Sequence, residues 1–155
     1  MNIIIVKPTE KHIEQMIELS DQARQHHIEV LGGYFKPINP SVELEITKRY
    51  MDQEDRIAMI AVDTDDNVLG MILGSVSDKP WLVNSVVGHV DNFIVSKNAR
   101  RHGVGKKLMN GFIQECKNRG AQEITLGVYN KNKGPYDFYI QYGFEPIEQK
   151  MTMKL

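Results

Sequence analysis

Val90-Asp91-Asn92-Phe93-Ile94-Val95, then a short loop, then Arg100-Arg101-His102-Gly103-Val104-Gly105-Lys106 is the stretch that decides how this chain folds. Its first part lies within 86–95 (VVGHVDNFIV), which has the composition of a strand. Its second part opens 103–119, where the period becomes helical. Leu108, Met109, Phe112, Ile113 and Cys116 fall on one face, and Lys106, Lys107, Asn110, Gln114 and Lys117 on the other. Two glycines at the junction allow a tight turn and close approach of a ligand to the backbone. Free N–H groups of a first helical turn, the positive end of its dipole and flanking cations together make an anion site. A diphosphate fits that charge. A P-loop is excluded, because only Val104 separates Gly103 from Gly105. A dinucleotide fingerprint is excluded too, because Leu108 stands where its third glycine belongs.

Outward from this stretch, residues 57–63 (IAMIAVD) and 67–76 (NVLGMILGSV) flank Thr64-Asp65-Asp66 and predict a hairpin. Residues 2–6 predict an opening strand. Thr9 caps a helix running to about His27, in which Ile13, Met16, Ile17 and Ala23 keep helical spacing. Gly32-Gly33 ends that region, and Ser41 opens a second helix through Glu45, Ile46 and Tyr50. Downstream, Arg119-Gly120 stops the central helix and 122–128 (QEITLGV) predicts a strand. A short helix over 134–141, with Pro135 in its first turn, and a last strand over 144–154 follow. No repeat or linker interrupts the chain. The expectation is one domain over 1–155, of α/β class, with a mixed central sheet flanked by helices.

With 155 residues, 41% hydrophobic and 25% charged, the composition is that of a globular protein with a core of its own. A net charge of −1 argues against a nucleic-acid partner. The longest early apolar run, Ile3-Ile4-Ile5-Val6, is too short for a membrane helix. A lone cysteine, Cys116, rules out an internal disulfide, so a cytoplasmic location is the expectation. The even balance conceals an asymmetry. Residues 96–120 hold seven basic groups against Glu115 alone, whereas 41–95 hold ten acids against four bases. A basic segment in an acidic chain suits a local anion site, or else a solvated cationic helix face.

Arg100-x-x-Gly103-x-Gly105 resembles the Gln/Arg-x-x-Gly-x-Gly/Ala signature of the GCN5-related N-acetyltransferase (GNAT) superfamily. Downstream, Asn132 followed seven residues later by Tyr139, within Phe138-Tyr139-Ile140-Gln141-Tyr142-Gly143-Phe144, is similar to that family's second motif. The resemblance covers nearly the whole chain. It implies an acyl-CoA N-acyltransferase fold, acetyl-CoA as co-substrate, a primary amine as acceptor and no metal. It also implies site residues. Phe93, Ile94 and Val95 would offer backbone groups to the acetyl and pantetheine portions. Arg100 belongs to the signature, and Arg101, His102, Gly103, Val104, Gly105 and Lys106 would cradle the pyrophosphate. Asn132 would contact the pantetheine arm, and Tyr139 would protonate the departing thiolate.

An alkylamine has a pKa of about 10.4, so a base or a water relay must take its proton at neutral pH. His89 and Asp91 lie two apart, hence on one face of a strand, where several relatives acetylating small amines place such groups. Which of them serves, if either, stays open at this level. Gly127 stands where some peptide-acetylating relatives carry a Glu. His26, His27, Tyr34 and Phe35 fall in the region the family uses as an acceptor wall. Trp81 either caps the acceptor cleft or anchors a partner subunit, which leaves room for a homodimer. Cys116 lies on the apolar helix face and is expected in the core, so transfer would be direct. Two alternatives stand beside a small-molecule enzyme: a protein or peptide N-acetyltransferase, and a CoA-binding module without catalysis.

Overall fold

A computed structural model describes residues 2–155. Its five strands are β1 (Ile4–Val6), β2 (Arg56–Val62), β3 (Val68–Asp78), β4 (Val86–Val95) and β5 (Glu123–Leu126). They lie in the sheet in the order in which they occur in the chain, antiparallel except for the β4–β5 pair, which is parallel. The sheet is therefore mixed, as expected. The β2–β3 connection is the expected acidic turn, with Asp63 Oδ1 accepting from the Asp65 and Asn67 N–H groups at 2.9 Å.

Four helices cover the two faces: α1 (Ile13–Leu31), α2 (Pro40–Asp52), α3 (Val104–Asn118) and α4 (Lys133–Tyr142). Strands β2 and β3 are apolar at successive positions because both of their faces are covered. On one side Ile57, Ala61 and Ile72 pack under Leu108, Met109, Phe112 and Cys116 of α3. On the other, Ala58, Ile60 and Met71 pack under Met16 and Leu19 of α1. Helix α1 is longer than its apolar spacing predicts. Thr9 caps a short 3-10 turn, Glu10–His12, that leads into it, and the helix passes His27 to end at Gly32, whose φ is +49°.

The strand expected over 144–154 does not form. This segment has no strand pairing and is almost wholly exposed, with Ile147, Met151, Met153 and Leu155 all in solvent. Pro146 lacks the N–H that a ladder needs, and Glu145, Glu148 and Lys150 break the apolar alternation before Met151. Among the described residues β5 consequently has β4 as its one neighbour.

Helices α1 and α2 are joined by a buried ion pair between Arg24 and Glu43, whose carboxylate is only 4% exposed. The Arg24 Nε is buried without a partner, so the guanidinium depends on Glu43 for compensation. Glu43→Ala leaves that cation stranded and should cost about 3–5 kcal/mol of stability. Denaturant unfolding checks this. A loss below about 1 kcal/mol would show that water replaces the carboxylate, whereas an apolar pair at both positions should recover most of the loss.

Candidate active site

Sheet register assembles the site. Arg56 pairs with Ser75, Ser75 with His89 and His89 with Thr125, so one row crosses β2 to β5. Cross-strand partners share a face, which here is the face covered by α1 and α2. A register shift in the β3–β4 ladder leaves Asp91 between the pairs Gly74–Val90 and Leu73–Asn92. Its carboxylate stands 3.9 Å from His89 Nε2 and 3.7 Å from Arg56 Nη1. His89 and Asp91 thus share one face, as their spacing predicts.

Three members of this cluster were invisible to sequence reasoning. Arg56 also lies over the Tyr50 ring, 5.3 Å from its centroid. Burial, then the charge of Asp91, pushes the Tyr50 phenol up to about 12. Thr125 Oγ1 is 2.8 Å from His89 Nδ1 and 3.4 Å from the Gly88 carbonyl oxygen. When the hydroxyl donates to that carbonyl, His89 Nδ1–H donates to Thr125 and Nε2 keeps its lone pair. The imidazole is then fixed as an acceptor beside a carboxylate, with its outer edge partly open to solvent. The signal in the sequence was weak, since only the register brings these residues into line.

Strands β4 and β5 are paired only from Val87–Glu123 to Val90–Leu126. Beyond that point they splay, and Asn92 to Val95 have β3 on one side and no strand on the other. On the α3 face of this opening, Phe93 packs against Phe138 and Tyr139 with ring centroids 5.7 and 6.3 Å away. Tyr142 fastens α4 to α3, its hydroxyl donating to the Lys106 carbonyl at 3.2 Å and meeting Asn110. Tyr139 is 9% exposed and packs on Phe144. Burial pushes its phenol up to about 12, above the ordinary value near 10. The candidate acid and the candidate base therefore approach the opening from opposite faces of the sheet.

The loop leading into α3 holds two left-handed residues, Arg101 at φ +65° and Gly103 at φ +81°. Arginine in that region is strained, which marks the loop as a shaped segment. Space above Gly103 is open: a Cβ there would meet nothing within 4 Å. A Cβ on Gly105 would lie 3.4 Å from the Phe93 ring, in ordinary contact. The first-turn N–H groups of Val104, Gly105 and Lys106 have no intrahelical acceptors. Charge, free donors and open space suit a diphosphate. Three cations of the basic segment are occupied otherwise, Arg119 by Glu115 and the Glu54 carbonyl. Arg100 Nε donates to the Val95 carbonyl at 3.2 Å, and Lys107 Nζ to the Ile3 carbonyl at 2.9 Å. His102 Nδ1 lies 2.8 Å from the Arg100 carbonyl oxygen. Asn132 caps α4 with its backbone, and its side chain makes no capping bond.

Cys116 is fully buried and its thiol is pushed up to about 11 by that burial, so it offers no thiolate for an acyl-enzyme. Among the described residues no helix is long and apolar enough to cross a membrane.

The sequence matches the acetyltransferase (GNAT) family over residues 17–144. It is 34% identical over 74 residues to an uncharacterised N-acetyltransferase of Methanocaldococcus jannaschii, a stretch covering 46% of this chain and 33% of that protein. The fold is similar to that of the BH1408 protein from Bacillus halodurans, with a TM-score of 0.89, 21% identity and coverage of 98% and 99% of the two chains. It is also similar to AAC(6')-Iy, solved with a CoA-containing bisubstrate analogue, at a TM-score of 0.79, 18% identity and coverage of 100% and 99%.

Proposed function

Because the chain belongs to the acetyltransferase (GNAT) family, acetyl transfer to an amine is the reaction its residues serve, and we propose that the acceptor is a small-molecule primary amine. The observation that carries this reading is the Arg56–Ser75–His89–Thr125 row with Asp91, placed beside the point where β4 and β5 part. Such a row supplies a proton acceptor where an amine can reach a thioester lying in the splay. Gly127, just past β5, offers no carboxylate to a peptide amino group.

Acetyl-CoA is the donor in this reading. Its pyrophosphate rests on N–H groups of Arg101 to Lys106, its pantetheine arm runs along the free edge from Phe93 to Val95, and Asn132 contacts that arm. Arg100 supports the edge through its bond to the Val95 carbonyl. The amine enters from the α1/α2 face and gives a proton to His89 Nε2. Its nitrogen then attacks the thioester carbon, and a backbone N–H at Phe93 or Ile94 stabilises the oxyanion. Asp91 stabilises the imidazolium. The C–S bond breaks as the carbonyl re-forms, and Tyr139 donates its phenolic hydrogen to the departing sulfur. Solvent takes the second proton from the acylated nitrogen and the one held by His89 and returns one to Tyr139, so an ammonium and acetyl-CoA give the N-acetylamine, free CoA and one released proton.

Tyr139 sets the size of one expected effect. A phenol near 12 against a thiol near 8.5 leaves full proton transfer uphill by roughly 5 kcal/mol. The hydroxyl therefore acts chiefly as a hydrogen-bond donor to developing charge, worth about 1.5–3 kcal/mol. Tyr139→Phe should lower kcat about 10- to 150-fold with little change in acetyl-CoA affinity, since the ring still packs. The high-pH decline expected from an ordinary phenol also moves. A raised pKa keeps the proton bound until the pH nears 12, so no loss of activity below about pH 10 comes from this group. Undiminished kcat in the Phe variant would leave Tyr139 as packing alone.

The reading as a whole is tested by following CoA release and product mass over small amines, amino acids and peptides with free N-termini. Acetylated small amines are the expected products. Products on peptides alone, or CoA binding without turnover, would overturn it.

A further inference from the structure

Four rings close the far end of the splay. His27 of α1 stacks on Phe35 at 5.3 Å, and Tyr34 meets Phe35 at the same distance. Tyr129 lies three residues past the end of β5 and touches His27, Tyr34 and Phe35 at 5.9, 5.9 and 5.6 Å. The cluster thereby bridges the α1–α2 loop to the segment joining β5 to α4, on the face of the sheet where His89 and Asp91 point. Packing explains Phe35 and His27, whose pKa is lowered chiefly by burial. Tyr34 and Tyr129 join that packing by their edges yet remain 54% and 40% exposed, with ring planes at 68° to each other. Two flat apolar faces at a steep angle make an open corner beside the amine's route.

We propose that Tyr34 and Tyr129 form a specificity corner that selects acceptors carrying a ring, aromatic or saturated, next to the primary amine. This rests on the functional reading above and names the acceptor class within it. A ring covers a tyrosine face over its whole area, whereas a linear chain covers a strip of it, and burial gain follows area. A polycation is the less suitable occupant. Lys36, Lys131 and Lys133 lie in the two segments that carry the corner, and neither segment from 34 to 39 nor from 127 to 133 holds an acid. Cation–π attraction at exposed rings is too small to outweigh several like charges.

Benzylamine, cyclohexylmethylamine and n-heptylamine have equal carbon counts and distinguish ring from chain. Wild-type kcat/KM should favour both ring amines over n-heptylamine by about tenfold or more. Tyr34→Leu and Tyr129→Leu should bring that ratio close to unity, while Tyr129→Phe keeps it. Circular dichroism and melting curves establish that each variant is folded, and Tyr129→Phe serves as the gentler change should either Leu variant unfold. In parallel, the melting temperature is read with saturating CoA plus each amine, which reports binding without turnover. Larger shifts from the ring amines, with no CoA released from acetyl-CoA by any amine, would sink the catalytic reading and keep the corner. Equal kcat/KM and equal shifts for the three amines, or a preference unchanged in folded Leu variants, would overturn the corner and leave acetyl transfer standing.

Discussion

His89→Gln should lower kcat by about 10²- to 10⁴-fold near neutral pH, the usual contribution of a positioned general base. The deficit should narrow as pH rises, because a growing fraction of the amine then arrives already neutral. His89 and Asp91 play unequal parts. The His89 ring is held by Thr125 at 2.8 Å, whereas the Asp91 carboxylate is shared between His89 and Arg56 at 3.9 and 3.7 Å. Both side chains are partly open to water, so the charge coupling between them is modest, and Asp91→Asn should cost about tenfold or less. Thr125→Ser, which keeps a hydroxyl, should be milder than Thr125→Val. The measurement is kcat against pH from about 6 to 9 at saturating acceptor. A loss smaller than about fivefold across that range in His89→Gln would mean that solvent takes the proton before attack.

The second large effect concerns acetyl-CoA. At a concentration of about 100 times Kd, a ligand adds about 2.7 kcal/mol to the folded state, or roughly 5–10 °C in a domain of this size. Gly103→Val should abolish that shift. At φ +81° a β-branched residue is strained, and its side chain would stand in the open space above the first turn of α3, where the pyrophosphate is proposed to lie. Gly105→Ala is the control from the same loop. Its new methyl meets the Phe93 ring at 3.4 Å and the Val95 side chain at 3.6 Å, both ordinary contacts, and the shift should survive. A full shift in a folded Gly103→Val protein would take this loop out of acetyl-CoA binding.

What could be read from the sequence depended on how local its cause was. The turn into α3, the buried face Leu108–Met109–Phe112–Cys116 and the acidic hairpin turn are set by residues close together in the chain, and all three are present. The common face of His89 and Asp91 follows from the two-residue period of a strand. Register is different, because it is fixed by packing between distant segments. Nothing near Arg56 or Thr125 announces that they line up with His89. The tail failed for a related reason. Met151, Met153 and Leu155 alternate like a strand, but alternation needs a partner ladder, and Pro146 interrupts the approach to one. The raised pKa of the Tyr139 phenol is not legible in the sequence, which does not show burial; packing among Phe93, Phe138 and Phe144 produces it.

Because strand order follows chain order, every antiparallel neighbour pair from β2 to β4 is closed by a short connection, whereas the β4–β5 pair must span the whole of α3. Loop-closure entropy grows with the length of chain enclosed, so this seam costs more to shut than the two hairpins beside it, and it joins only four residue pairs. The meander can form from near neighbours, and the seam depends on α3 having docked. The proposed donor lies across that seam, held by β4, the α3 loop and Asn132 at once. Occupancy would thus tighten a joint that near neighbours in the chain do not close, and an empty protein would breathe there before the hairpins beside it open.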